Sequence, residues 1–103
     1  MYRPEIGISD HTLSLILKVV QENPKVSEVI LFGSRAKGNF VSGSDIDLAL
    51  KGNEINLNDI LELSVNLDKL NLPYKFDLII YDRIQESALI EHITRNGICL
   101  FRK

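Results

Sequence analysis

Only one cysteine, Cys99, occurs in the 103 residues, so no internal disulfide can form. That usage fits a reducing cytoplasm. The setting Ile98-Cys99-Leu100-Phe101 is apolar and points to a buried core thiol rather than a nucleophile. Long hydrophobic runs are missing too: nothing approaches the ~20 residues that span a bilayer, and Met1-Tyr2-Arg3-Pro4-Glu5 lacks the apolar stretch of a signal peptide. Positive charge is not in surplus. The net charge is −2 and the basic residues are scattered, whereas a nucleic-acid binder is ordinarily basic along one face. Arg35 with Lys37 is the nearest candidate, and two charges are too few for a duplex footprint. No internal repeat, low-complexity tract or linker interrupts the chain. What is present, 45% hydrophobic and 25% charged residues, suits an ordinary globular protein with one domain over 1–103 and one core.

The order of elements is predicted from periodicity. Residues 1–8 read as an irregular lead-in. Ser9 or Asp10 caps a first helix whose stripe is Leu13, Ile16, Leu17 and Val20, and Pro24 stops it near Asn23. His11 lies in its first turn, facing solvent. Val26 to Phe32 is a strand apolar on both faces, hence central. Ser34 caps a short helix that ends at Gly38. After a loop from Asn39 to Gly43, a second strand runs from Ser44-Asp45 to about Leu50. Asn58 caps the next helix, with Ile60, Leu63, Ser64 and Leu67 inward and Leu61 and Leu70 alongside. Lys75 to Tyr81 is a third strand with Asp77, Ile79 and Tyr81 on one face. Asp82 caps a last helix to about Arg95, with Ile84, Ala88, Leu89, His92 and Ile93 inward. Asn96-Gly97 closes it in the left-handed way, and Ile98 to Phe101 adds a short strand. The expected class is α/β (α+β): a small sheet in a sandwich of two layers or slightly more.

One stretch carries chemistry. An apolar strand enters Gly33-Ser34, and the next strand opens with Asp45-Ile46-Asp47. Strand side chains alternate, so Asp45 and Asp47 share a face, within about 7 Å of each other. At ~4 Å two such charges repel by roughly 4 kcal/mol near a protein surface. A divalent cation relieves that repulsion, and hard oxygen ligands suit Mg²⁺ or Mn²⁺. Charges placed to keep an edge strand from aggregating are the plainer explanation. They leave Asp77, which interrupts the apolar run Phe76-Leu78-Ile79-Ile80, without a reason. Other motifs fail. Gly33 and Gly38 are spaced as in a P-loop, but Asn39-Phe40 follow instead of Lys-Ser/Thr. No dinucleotide fingerprint is present, and Ala49-Leu50 stand where an EF-hand needs an oxygen ligand and glycine.

Through Phe32-Gly33-Ser34-Arg35-Ala36-Lys37-Gly38, Ser44-Asp45-Ile46-Asp47-Leu48 and Phe76-Asp77-Leu78-Ile79, the whole chain resembles the DNA polymerase beta-type nucleotidyltransferase superfamily, most closely its minimal nucleotidyltransferase (MNT) branch. The resemblance implies the nucleotidyltransferase fold, with a small mixed sheet of three to four strands flanked by helices. It implies transfer of a nucleoside monophosphate, AMP from ATP, with two Mg²⁺ ions (Mn²⁺ as alternative) held by Asp45 and Asp47. Asp77 would complete the site of the ion that binds the acceptor hydroxyl and help remove its proton. Gly33 and Ser34 would grip the triphosphate through backbone N–H groups and the Ser34 hydroxyl. Arg35 and Lys37 add charge there or face solvent.

Larger members carry a second, helical domain, for which this chain has no residues left. The resemblance therefore also implies a partner: a HEPN-type ribonuclease toxin encoded alongside, whose hydroxyl, often a tyrosine's, takes the AMP, making this chain the antitoxin. Two other functions remain open: transfer to a small molecule such as an aminoglycoside, and a non-catalytic antitoxin that acts by occlusion. Homo- or hetero-oligomers are both compatible with the sequence. A proline often precedes the Ser-Asp-x-Asp segment in the family; Val41-Ser42-Gly43 stands here and leaves the loop freer.

Overall fold

A computed structural model describes residues 2–3, 6–41 and 43–103. Chain order is β1 (Tyr2–Arg3), β2 (Ile8–Ser9), α1 (Asp10–Gln21), β3 (Val26–Phe32), α2 (Ser34–Lys37), β4 (Ile46–Gly52), α3 (Leu57–Asp68), β5 (Phe76–Ile80), a 3₁₀ turn (Tyr81–Arg83), α4 (Ser87–Asn96) and β6 (Ile98–Arg102). The main sheet runs β5-β4-β3-β6. β3 pairs antiparallel with β4 and β6, while β4 and β5 are parallel with α3 as crossover. The mixed four-stranded sheet with flanking helices is the architecture expected of the chain.

Alternation divides the strand residues between two faces. Val29, Leu31, Ile46, Leu48 and Leu50 meet Leu13, Ile16 and Val20 of α1 and Leu63 and Leu67 of α3, and this is the main core. On the opposite face α4 covers the sheet through Ile93 against Ile30, Phe32 and Ala49, with Tyr81 and Ile84 of the preceding segment alongside. One ten-residue helix cannot roof four strands. Cys99, beside Ile30 in the register with β6, is consequently exposed and not the buried thiol that its neighbours suggested.

Several boundaries differ from expectation, each for a local reason. Tyr2–Arg3 and Ile8–Ser9 form a small antiparallel pair where an irregular lead-in was expected; Met1, Pro4 and Glu5, like Ser42 of the proline-free loop, lie outside the described residues. Gly33, not Ser34, is the N-cap of α2 and makes no side-chain hydrogen bond. Asp45 precedes β4 rather than opening it. Asn56, not Asn58, caps α3. Its side chain accepts from the Asp59 N–H, and Asp59 accepts from the Asn56 N–H in return. Leu61, expected alongside the inward stripe, lies two residues off the buried Leu63 and so faces outward with Leu57 and Val65, at 57%, 63% and 52% exposure, as an apolar stripe on the outside of α3. Asp82 belongs to the 3₁₀ turn and caps nothing. The following Ile84 is extended and packs against the smaller core, so α4 starts only at Ser87, and Ala88 faces outward. Gly97 has φ −61° and ψ 142°, so α4 ends by extending directly into β6.

Asp59 also receives Asn23 Nδ2 and Lys25 Nζ, each at 3.0 Å, and so ties the start of α3 to the turn after α1. The Asn56 N–H, then Lys25, hold its carboxyl below the usual carboxylate range. A folded-state value below the unfolded ~3.9 gives stability that is present above that pH and is lost as pH falls through the folded value. Urea unfolding across the acid range is expected to show a shallower loss for Asp59→Asn than for the wild type. An unchanged slope would mean that these bonds contribute no pH dependence.

Candidate active site

Strand pairing assembles the site. In the antiparallel register Phe32 faces Asp47, so the chain leaving β3 turns at Gly33 directly beside that carboxylate. The turn needs φ +77° at Gly33, and a Cβ there would overlap Asp47 Oδ2. In the parallel register Asp47 faces Asp77, and side chains paired this way project to the same side. Asp45 follows the 39–44 loop one residue before β4. The carboxylates of Asp45 and Asp77 are exposed, and that of Asp47 is half-buried.

Burial first, then the charges of Asp77 and Asp45, push the Asp47 carboxyl above its ordinary value, while Arg35 pulls the other way. The three acids are therefore near enough to feel one another. They are not drawn into a cage: among the described residues no three His, Cys, Asp or Glu side chains are gathered tightly enough to hold an ion. Mutual repulsion favours such a spread, and side-chain rotation on fixed, adjacent backbones would be needed to close it. All three are hard oxygen donors, and a divalent cation would remove the charge penalty on Asp47, so the donor set fits Mg²⁺ or Mn²⁺.

Arg35 has a different place from the one expected. It is 2% exposed, its Nη1 donates to Ile6 O at 2.8 Å, and its Nε and Nη2 donate to Ser44 O at 3.2 and 2.9 Å. Its guanidinium lies 4.9 Å from the ring centres of both Phe40 and Tyr74. With its donors turned to carbonyls and its guanidinium buried beside two rings, Arg35 is committed to the fold rather than presented to a phosphate. It clamps the chain segment that delivers Asp45, and its charge still reaches Asp47. Lys37 is exposed and shares a cleft of about 330 Å³ with Gly33, Ser34, Asn39 and His92.

His92 entered the sequence reading only as an inward residue of the last helix. Its Nε2 accepts the Gly33 N–H at 2.9 Å, so the corner N–H expected to grip phosphate already has a partner. A histidine among Leu89 and Ile93 on an inward helical stripe, four residues before Asn96, was the available signal.

Comparison with known proteins decides the family. The polymerase beta nucleotidyltransferase family matches residues 15–103. The chain belongs to that family. Solved structures of similar fold include a toxin–antitoxin complex with AMP-PNP, 25% identical over 88% of this chain and 73% of that chain, with a TM-score of 0.74. A variant toxin–antitoxin MntA–HpeT complex is 26% identical, covers 87% and 72%, and has a TM-score of 0.70. A tri-AMPylated Shewanella oneidensis HEPN toxin in complex with MNT antitoxin is 22% identical over 88% and 70%, at a TM-score of 0.67, a likeness of fold. No curated protein matches the chain. Among the described residues of this nucleotidyltransferase, no helix is long and apolar enough to cross a membrane.

Proposed function

We propose that this chain is a minimal nucleotidyltransferase that moves AMP from ATP to a hydroxyl on a HEPN-type toxin, and so acts as that toxin's antitoxin. The observation that carries the reading is the register pairing of Asp47 with Asp77 beside the Gly33 corner. Similar complexes with AMP-PNP and with an AMPylated HEPN toxin support the nucleotide and the partner.

The acceptor oxygen attacks the α-phosphorus, the bond from that phosphorus to the bridging oxygen breaks, and pyrophosphate leaves. Asp77, exposed on the edge strand β5, is open to an incoming acceptor, and it takes the hydroxyl proton. Asp45 and Asp47 would hold two Mg²⁺ ions, with Asp77 completing one site; such ions supply charge neutralisation at the attacking and leaving oxygens. Ser34 and Lys37 line the cleft beside the corner and orient the phosphates. A helical partner supplies the acceptor.

A second reading, inhibition by occlusion without chemistry, draws on the spread of the three carboxylates. The two separate in one experiment. Incubation with Mg²⁺, ATP and the protein encoded alongside is expected to add the mass of AMP to the partner and to neutralise its toxicity, and D45N/D47N is expected to lose both. Neutralisation by D45N/D47N equal to that of the wild type would establish occlusion instead.

A further inference from the structure

The Gly33 corner has a second tether besides the strand that leads into it. His92 reaches it from α4, across 59 residues of sequence, with Nε2 2.9 Å from the Gly33 nitrogen. Acceptance at Nε2 fixes the tautomer: the neutral ring carries its proton on Nδ1. Asn96 Nδ2 lies 3.2 Å from Nδ1, one helical turn on; both would be donors in that tautomer, so it requires the Asn96 amide turned with Oδ1 toward the ring. Phe32 holds the ring edge-on, with centroids 6.3 Å apart and planes at 73°. The imidazole is thus fixed by a residue of its own helix, by the residue before the corner and by the corner itself. Nε2 is engaged by Gly33, and with the Asn96 amide turned Nδ1 is engaged as well, so the ring offers the cleft it shares with Gly33, Ser34, Lys37 and Asn39 no free donor.

We infer that His92 is a positioning residue of the transferase site: through its hydrogen bond to Gly33 it sets where the Gly33–Ser34 corner stands relative to Asp47. The inference rests on the nucleotidyl-transfer reading given above. Gly33 stands close against Asp47, since a Cβ there would overlap Oδ2. A corner that lost its α4 tether would move Ser34, and with it the phosphates, against the carboxylates. Small displacements of reacting groups cost rate much more than binding.

Two substitutions separate this role from plain packing. H92Q places an amide oxygen close to the position of Nε2 and keeps an acceptor for Gly33; H92F keeps a ring against Phe32 and removes the acceptor. AMP transfer by H92F is expected to have kcat lowered about 10-fold or more with KM for ATP changed far less, and H92Q is expected to stay within about 3-fold of wild type. Amide hydrogen exchange of Gly33 in the nucleotide-free protein is expected to be fast in H92F and slow in wild type and H92Q. A folded H92F that transfers at the wild-type rate overturns the inference, as does an H92Q as impaired as H92F while its Gly33 amide stays protected. A wild-type chain that transfers no AMP although its Gly33 amide is protected overturns the proposed function, and the role of His92 in it.

Discussion

Replacing Arg35 by leucine is expected to cost the fold on the order of 3 kcal/mol, since among the described residues it is the buried charged side chain. In a domain of this size that lowers the melting temperature by roughly 10–20 °C. The guanidinium is buried and holds the carbonyls of Ile6 and Ser44, from the N-terminal turn and from the loop before Asp45. Leucine leaves those carbonyls without a donor and removes the cation that lies over the Phe40 and Tyr74 rings. Lysine keeps the charge but not the planar fork that spans two carbonyls, so R35K is expected to recover less than half of the loss. The same substitutions free the segment that positions Asp45, so transfer is expected to fall further than the folded fraction does. Thermal unfolding followed by circular dichroism checks the first expectation. Transfer rates below the melting range check the second. An R35L chain that melts with the wild type would show that the clamp contributes nothing.

The second large effect has opposite signs on stability and activity. Asp47 is half-buried against two other carboxylates, and its ionised form is disfavoured in the folded state. D47N removes that charge and keeps the shape. It is expected to unfold at equal or slightly higher denaturant concentration than wild type, and to lose transfer by about 10³-fold or more. Side chains that work against their own fold in this way mark sites kept for chemistry. Loss of stability in D47N together with retained transfer would mean that Asp47 is a structural acid.

Much of this was readable in the chain itself. The bounds of β3 follow from the run Val26 to Phe32, and its double-sided apolarity correctly makes it a central strand. The pairing of Asp47 with Asp77 follows once two such strands lie parallel with a helix between them. Arg35 was not readable as a buried residue, because the groups that bury it, Phe40, Tyr74 and the turn at Ile6–Gly7, come from three separate places in the sequence. Cys99 was misplaced because a run of apolar neighbours says nothing about whether a helix reaches that end of the sheet. The cap at Asn56 was available as the pair Asn56 and Asp59, spaced as a capping box. His92 could be set on the correct face, but its bond to Gly33 depends on how α4 lies across β3, which periodicity does not encode.

If the acids beside the Gly33 corner do the proposed chemistry, they move a nucleotide, and not a phosphate. Labelled ATP tests it most directly. Incubated with Mg²⁺ and the proposed HEPN-type partner, the wild-type chain is expected to place label from the α-phosphate on that protein and none from the γ-phosphate, and D77N is expected to place neither. Label from the γ-phosphate, or α-label that D77N transfers as fast as wild type, would contradict it.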